Sequence, residues 1–215
     1  MEDIMQLLKS PFEKLEGNSE KFQSKCSDIA TKLIQYFCIE CGTKKYYFAE
    51  IEFYYYKVGL WDEEWNKKTY PRTGKKAGDF FFHYSGVDIC FDSEFKKGEF
   101  GGILIRSLKD TDGNFITGPS VCSLEIMNTC FAQKSWPKIT SASNDRCEVC
   151  KEPITRYGIN YKDNQEDKHL CFYDERLKDH LKNDFNDATW DFSINKDGKV
   201  NGSKKLSRNY YRFNH

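Results

Sequence analysis

Between Tyr46 and Tyr56 the side chains alternate with the period of a β-strand. Ala49, Ile51, Phe53 and Tyr55 take one face, and Glu50, Glu52, Tyr54 and Tyr56 take the other. Two carboxylates two residues apart on one face repel each other, and burial would raise the proton affinity of at least one. The pair is therefore either an ordinary solvent-facing feature or a site. Upstream, Phe22, Cys26, Ile29, Ala30, Leu33, Ile34 and Phe37 recur at helical spacing and predict an amphipathic helix from about Glu20 to Phe37 that covers a sheet. Before it, Ser10, Pro11 and Glu13 form a capping-box pattern for a short helix ending near Gly17. From Cys38 to His169 the pattern is mainly strands: a hairpin turning at Cys41 and Gly42, then Tyr46 to Tyr56, Asp79 to Tyr84, Val87 to Asp92 and Gly102 to Leu108. Asp112 and Gly113 mark a tight turn, Ser135 to Asp145 reads as a loop, and Tyr157 to Tyr161 and Leu170 to Tyr173 read as later strands. A polar helix over Asp174 to Asp187 and a hairpin over Ile194 to Val200 complete the reading.

The chain has 215 residues, 39% hydrophobic and 16% aromatic, enough for the core of one domain with terminal additions. Lysine plus arginine equals aspartate plus glutamate at 33 each, so no global positive field recruits nucleic acid, and any polyanion site must come from local clustering. No apolar run reaches the length of a membrane span and no signal-peptide pattern follows Met1, so the expectation is a soluble, cytoplasmic protein without membrane partners. Nine cysteines in that setting are free thiols or metal ligands rather than a disulfide framework. Cys38 with Cys41, and Cys147 with Cys150, form two Cys-x-x-Cys pairs. These either close a tetrahedral structural zinc site or are unrelated buried thiols.

Three further segments bear on chemistry. Lys67, Lys68, Arg72, Lys75 and Lys76 lie in a stretch with no acidic residue from Asn66 to Gly78, which suits a phosphate backbone or a solvated loop. In the next strand Phe80, Phe82 and Tyr84 share a face, as core or as a surface on which bases stack. Arg106 sits on a face between Leu104 and Leu108, where a guanidinium needs a carboxylate or phosphate partner. His83 faces away from Phe82 and reads as a packed histidine.

Taken in order, these segments resemble the alkyladenine (3-methyladenine) DNA glycosylase family, which excises damaged purines. That family's Glu-Thr-Glu-Ala-Tyr run is similar to Glu50, Ile51, Glu52, Phe53, Tyr54, and its Thr-Pro-Arg-Asn loop to Tyr70, Pro71, Arg72, Thr73. Its aromatic strand ending in Tyr-Gly resembles Phe80 to Gly86, and its Leu-Arg-Ala-Leu strand resembles Ile105 to Leu108. A Gly-Pro helix start is echoed by Gly118 to Val121, and late strands by Arg156 to Ile159 and Cys171 to Tyr173, so the similarity spans about residues 28 to 175. The resemblance implies an α+β fold in which a curved, mostly antiparallel sheet carries packed helices. It places a glycosylase-like domain at 19–175, between a helical extension at 1–18 and a helix and hairpin at 176–215. It also implies that Glu52 activates water against the anomeric carbon of a flipped nucleotide, that Arg106 positions this machinery, and that Tyr54 and Phe82 sandwich the base. Glu50 and Asp92 would line the same pocket, the cationic loop would hold DNA, and the protein would work as a monomer without a required cofactor. No lysine stands at the site to act as nucleophile, so a monofunctional hydrolase is implied rather than a lyase.

The chain departs from the family in three places. No histidine occurs from Trp61 to Lys68, where the family has one that contacts the base. The family's intercalating aromatic falls on Ser85 unless Tyr84 takes that job, and its exocyclic-group asparagine becomes Asp92. The leading expectation is a diverged glycosylase. Its rivals are a non-catalytic module that binds nucleic acid or a nucleobase on the same fold, and an interaction protein stiffened by zinc.

Overall fold

Two helices open the chain in the computed structural model, α1 (Ile4–Lys9) and α2 (Ser19–Tyr36). The structure describes residues 4–9, 12, 19–59, 70–92, 98–142, 148–151, 170–178 and 180. In α2 the positions marked by helical spacing, Phe22, Cys26, Ile29, Ala30, Leu33 and Ile34, are all buried. The chain then passes directly into β1 (Phe37–Cys41) and turns at Gly42 and Thr43 into β2 (Lys44–Lys57). Gly42 has φ of 61°, a left-handed conformation that glycine adopts without a Cβ penalty. Next come the hairpin β3 (Phe80–His83) and β4 (Gly86–Cys90), with Tyr84 and Ser85 at its tip, and the strands β5 (Glu99–Lys109) and β6 (Phe115–Thr117). The β5–β6 turn is held by Asp110, whose carboxylate accepts from the backbone N–H groups of Asp112 and Asn114 at 2.9 and 2.8 Å. Then follow α3 (Pro119–Gln133), β7 (Lys138–Ser141), β8 (Val149–Lys151) and β9 (Leu170–Asp174).

All recorded strand pairs are antiparallel, and the main order is β3-β4-β5-β2-β1-β7. This is an α+β fold with a curled, six-strand half-barrel sheet and packed helices. β2 is its axis: β5 runs along one edge, while β1 and then β9 share the other. One face of β2, with Ile51, Phe53 and Tyr55, joins the apolar core, where Phe12 stands 4.6 Å from Tyr55 and 4.4 Å from Phe22 between ring centroids.

α1 lies within the helical extension expected at 1–18 but ahead of the capping-box pattern at Ser10, α3 begins at the helix start that the resemblance implied at Gly118 to Val121, and β7 falls in a stretch read as a loop. The short helix after Ser10, the strand at Tyr157 to Tyr161, most of the helix after Asp174 and the hairpin at Ile194 to Val200 lie outside the described residues. Residues Met1–Leu177 form one unit and Lys178–His215 a second. Among the described residues no helix is long and apolar enough to cross a membrane.

Candidate active site

Strand register fixes which side chains can meet, because directly opposed residues share a face. Glu52 is opposite Leu104 of β5 and Cys171 of β9, Leu104 is opposite Asp88 of β4, and Asp88 is opposite Phe81 of β3. Glu52, Leu104, Asp88 and Phe81 therefore form one row on one face, with Tyr54 and Gly102 one step along it and Arg106 one step back. α3 begins on this face. A Cβ built on Gly86 would meet Pro119 at 2.9 Å and Leu104 at 3.1 Å.

Arg106 ties the two glutamates together. Its Nε donates to Glu50 Oε1 at 3.1 Å and its Nη1 donates to Glu52 Oε2 at 2.8 Å. Ser107 Oγ donates to the other oxygen of Glu50 at 3.1 Å. Glu50 and Glu52 are 6% and 1% exposed, so both carboxylates are desolvated and need hydrogen-bond partners within the protein. Burial raises the Glu50 carboxyl above its ordinary value of 4.5, with Arg106 and Ser107 pulling it back only in part. Burial would lower the proton affinity of the Arg106 guanidinium, but the Glu50 and Glu52 charges outweigh it and push it up.

A second ion pair lies on the same face. Arg72 is 1% exposed, and its Nη2 donates to Asp88 while its Nη1 donates to the Tyr70 carbonyl at 2.7 Å. His83 Nε2 lies 3.4 Å from the same Asp88 carboxylate, and its Nδ1 accepts from the Ser85 N–H at 3.2 Å. Tyr70 and Phe81 flank the His83 ring at 4.7 and 5.6 Å between centroids. The guanidinium fits because residue 102 is glycine: a Cβ there would sit 2.9 Å from Arg72 Nε.

Several expected site residues are placed elsewhere. Arg72, read as a phosphate contact, is committed to Asp88 in the interior, because a buried guanidinium needs a carboxylate more than a solvated loop needs a fifth cation. Phe82 pairs with Val87, which puts it on the face opposite Glu52, where it meets Trp136 edge-on at 5.9 Å. Phe81, opposite Asp88, is the β3 ring on the Glu52 face. Asp92 does not project freely into a pocket: its Oδ1 accepts from the Ala77 N–H at 2.6 Å and fixes the loop before β3. Tyr84 is fully exposed at the hairpin tip. Lys76 is exposed and Lys75 half-buried, while Lys67 and Lys68 lie outside the described residues.

Cys38 and Cys41 lie three residues apart on β1, which strand alternation places on opposite faces. Burial pushes both thiols up, Cys41 to about 12, and Cys38 lies 3.3 Å from the Thr140 hydroxyl. Cys150 is half-buried on β8, and Cys147 lies outside the described residues. Among the described residues no three His, Cys, Asp or Glu side chains are gathered closely enough to hold a metal.

Asp88, Ser107 and Phe81 were missed as members of this face. Their signal was present only as strand parity combined with pairing, and pairing is not readable from one sequence. No protein-family profile, characterised protein or solved structure matches this chain.

Proposed function

We propose that the Glu52 face receives an extruded nucleobase and that Glu52 hydrolyses its N-glycosidic bond, in line with the resemblance to alkyladenine DNA glycosylases. The observation that carries this reading is the Arg106 bridge, which orients Glu52 by a 2.8 Å hydrogen bond on the same face as Tyr54. In the reaction Glu52 takes a proton from water, the hydroxyl oxygen bonds to the anomeric carbon, and the C–N bond breaks with its electron pair passing to the base. The base takes up a proton from solvent and Glu52 returns its own to solvent, so that one water is consumed. Arg106 and Glu50 act as positioning residues, and Ser107 anchors Glu50. Phe81, rather than Phe82, supplies the ring on the β3 side. Tyr84, exposed at the tip of a two-residue hairpin turn, suits the wedge that enters the duplex when a base leaves it.

Glu52 is 1% exposed and already hydrogen-bonded, which favours a second reading in which the fold recognises a modified base without cutting it. Release of hypoxanthine or methylated adenine from duplex DNA separates the two. The first reading expects release by the wild type and a loss of at least about a hundredfold in Glu52→Gln. Equal release by both proteins would remove Glu52 as the base, and salt-dependent binding without release would leave the second reading standing.

A further inference from the structure

We propose that the outward face of α3 is the surface on which two copies of this chain meet, antiparallel, about a two-fold axis near Met127. The exposed residues of this helix are Ser120, Leu124, Met127, Asn128, Phe131, Ala132 and Gln133, and none of them is charged. The helix has a single ionisable acid, Glu125, which turns toward the sheet and accepts from the Tyr46 hydroxyl at 2.6 Å. Leu124 is 53% exposed, Met127 37% and Phe131 76%, and Trp136, just past the left-handed cap at Lys134, is 63% exposed.

At the scale of ~150–250 Å² for a fully buried large side chain, these four leave on the order of 400–500 Å² of apolar surface in water. That is the size of an apolar centre within an interface of about 800 Å² per partner. The composition also fits: interface centres are rich in aromatics and methionine and poor in charge. The helix carries no lysine or arginine of its own, and the flanking Lys134 at its cap and Lys44, 4.0 Å from Glu125, offer a polyanion little to grip.

The stripe also complements itself. Leu124 stands three residues before Met127 and Phe131 four residues after, about one helical turn each way. Antiparallel packing about Met127 sets the smaller Leu124 of each copy against the larger Phe131 of the other and fills the groove between the helices. Glu52 and Arg106 take no part in this contact, so the proposal stands or falls apart from the proposed chemistry.

Sedimentation equilibrium on the full chain tests it. The wild type is expected to approach the mass of two chains at about 100 μM and to fall toward one chain at about 1 μM, an interval typical of weak homodimers. Leu124→Glu and Phe131→Glu should give one-chain mass throughout, with thermal midpoints close to the wild type's at about 1 μM, where the wild type is also one chain. Met127→Cys should cross-link to a dimer under mild oxidation, where wild type treated in the same way does not. A wild type that stays monomeric at about 500 μM would overturn the proposal, and so would a dimer that survives both glutamate substitutions. Monomeric wild type that binds phospholipid vesicles through Phe131 would overturn it in favour of a lipid surface.

Discussion

Arg106, with a side chain 14% exposed, holds two carboxylates that are nearly out of water. Removing it leaves both acids buried without their cation. Arg106→Met should therefore lower unfolding free energy by about 3–5 kcal/mol in urea titrations, whereas Arg106→Lys should recover only part because one ammonium cannot span both acceptors in a fixed fork. The Glu50 carboxyl is raised in the native state, so the fold prefers its neutral form. Its contribution to stability is fully present below the unfolded value of about 4.5 and is lost as pH rises through the higher native value. Between those limits the expected decline from this group is up to about 1.4 kcal/mol per pH unit, and Glu50→Gln should remove it. Parallel unfolding curves for the two proteins from about pH 4 to about pH 7 would contradict this assignment. Alternation alone put Glu50 and Glu52 on one face, and burial chemistry demanded a partner for Arg106. That they are each other's partners depended on β2 lying beside β5.

The β3–β4 hairpin joins a buried ion pair to an exposed ring. Arg72 and Asp88 anchor its base, and Tyr84 projects from its tip. Tyr84→Ala should leave stability within about 0.5 kcal/mol while weakening duplex binding severalfold, as measured by fluorescence anisotropy; unchanged affinity would take Tyr84 out of the DNA contact. Gly102→Ala should do the reverse. Its Cβ would press on Arg72 at 2.9 Å and on the Ile89 carbonyl at 2.8 Å, and a loss of about 1–3 kcal/mol is expected. Periodicity revealed α2 and the long strands because each buries a single face. It missed α3 because Val121, Cys122, Leu124, Ile126, Met127, Cys130 and Phe131 spread apolar groups around the helix and leave no single stripe. It also sorted Phe80 and Phe82 correctly against Phe81, while the placing of Phe82 beside Glu52 came from the resemblance and not from periodicity. Parity gives each strand two faces, and only cross-strand pairing matches them to a neighbour's.

With equal numbers of acids and bases, the molecule has no net field to draw a polyanion from a distance, so the DNA binding proposed above would have to come from local contacts. Burying Arg72 against Asp88 subtracts one cation from the loop and leaves Lys67, Lys68, Lys75 and Lys76. Four phosphate contacts set the steepest salt dependence this loop supplies, about −3.6 in log affinity against log salt. A fourfold increase in salt should then cost about two orders of magnitude in affinity, less than a binder with six to ten contacts would lose. Lys75→Ala with Lys76→Ala should flatten that slope by about 2, whereas Arg72→Gln should lower stability and leave the slope of the folded protein unchanged. A steeper wild-type slope, or one that drops when Arg72 alone is replaced, would mean that Arg72 leaves Asp88 to meet the phosphate. The buried ion pair would then be a resting arrangement that binding exchanges for another partner.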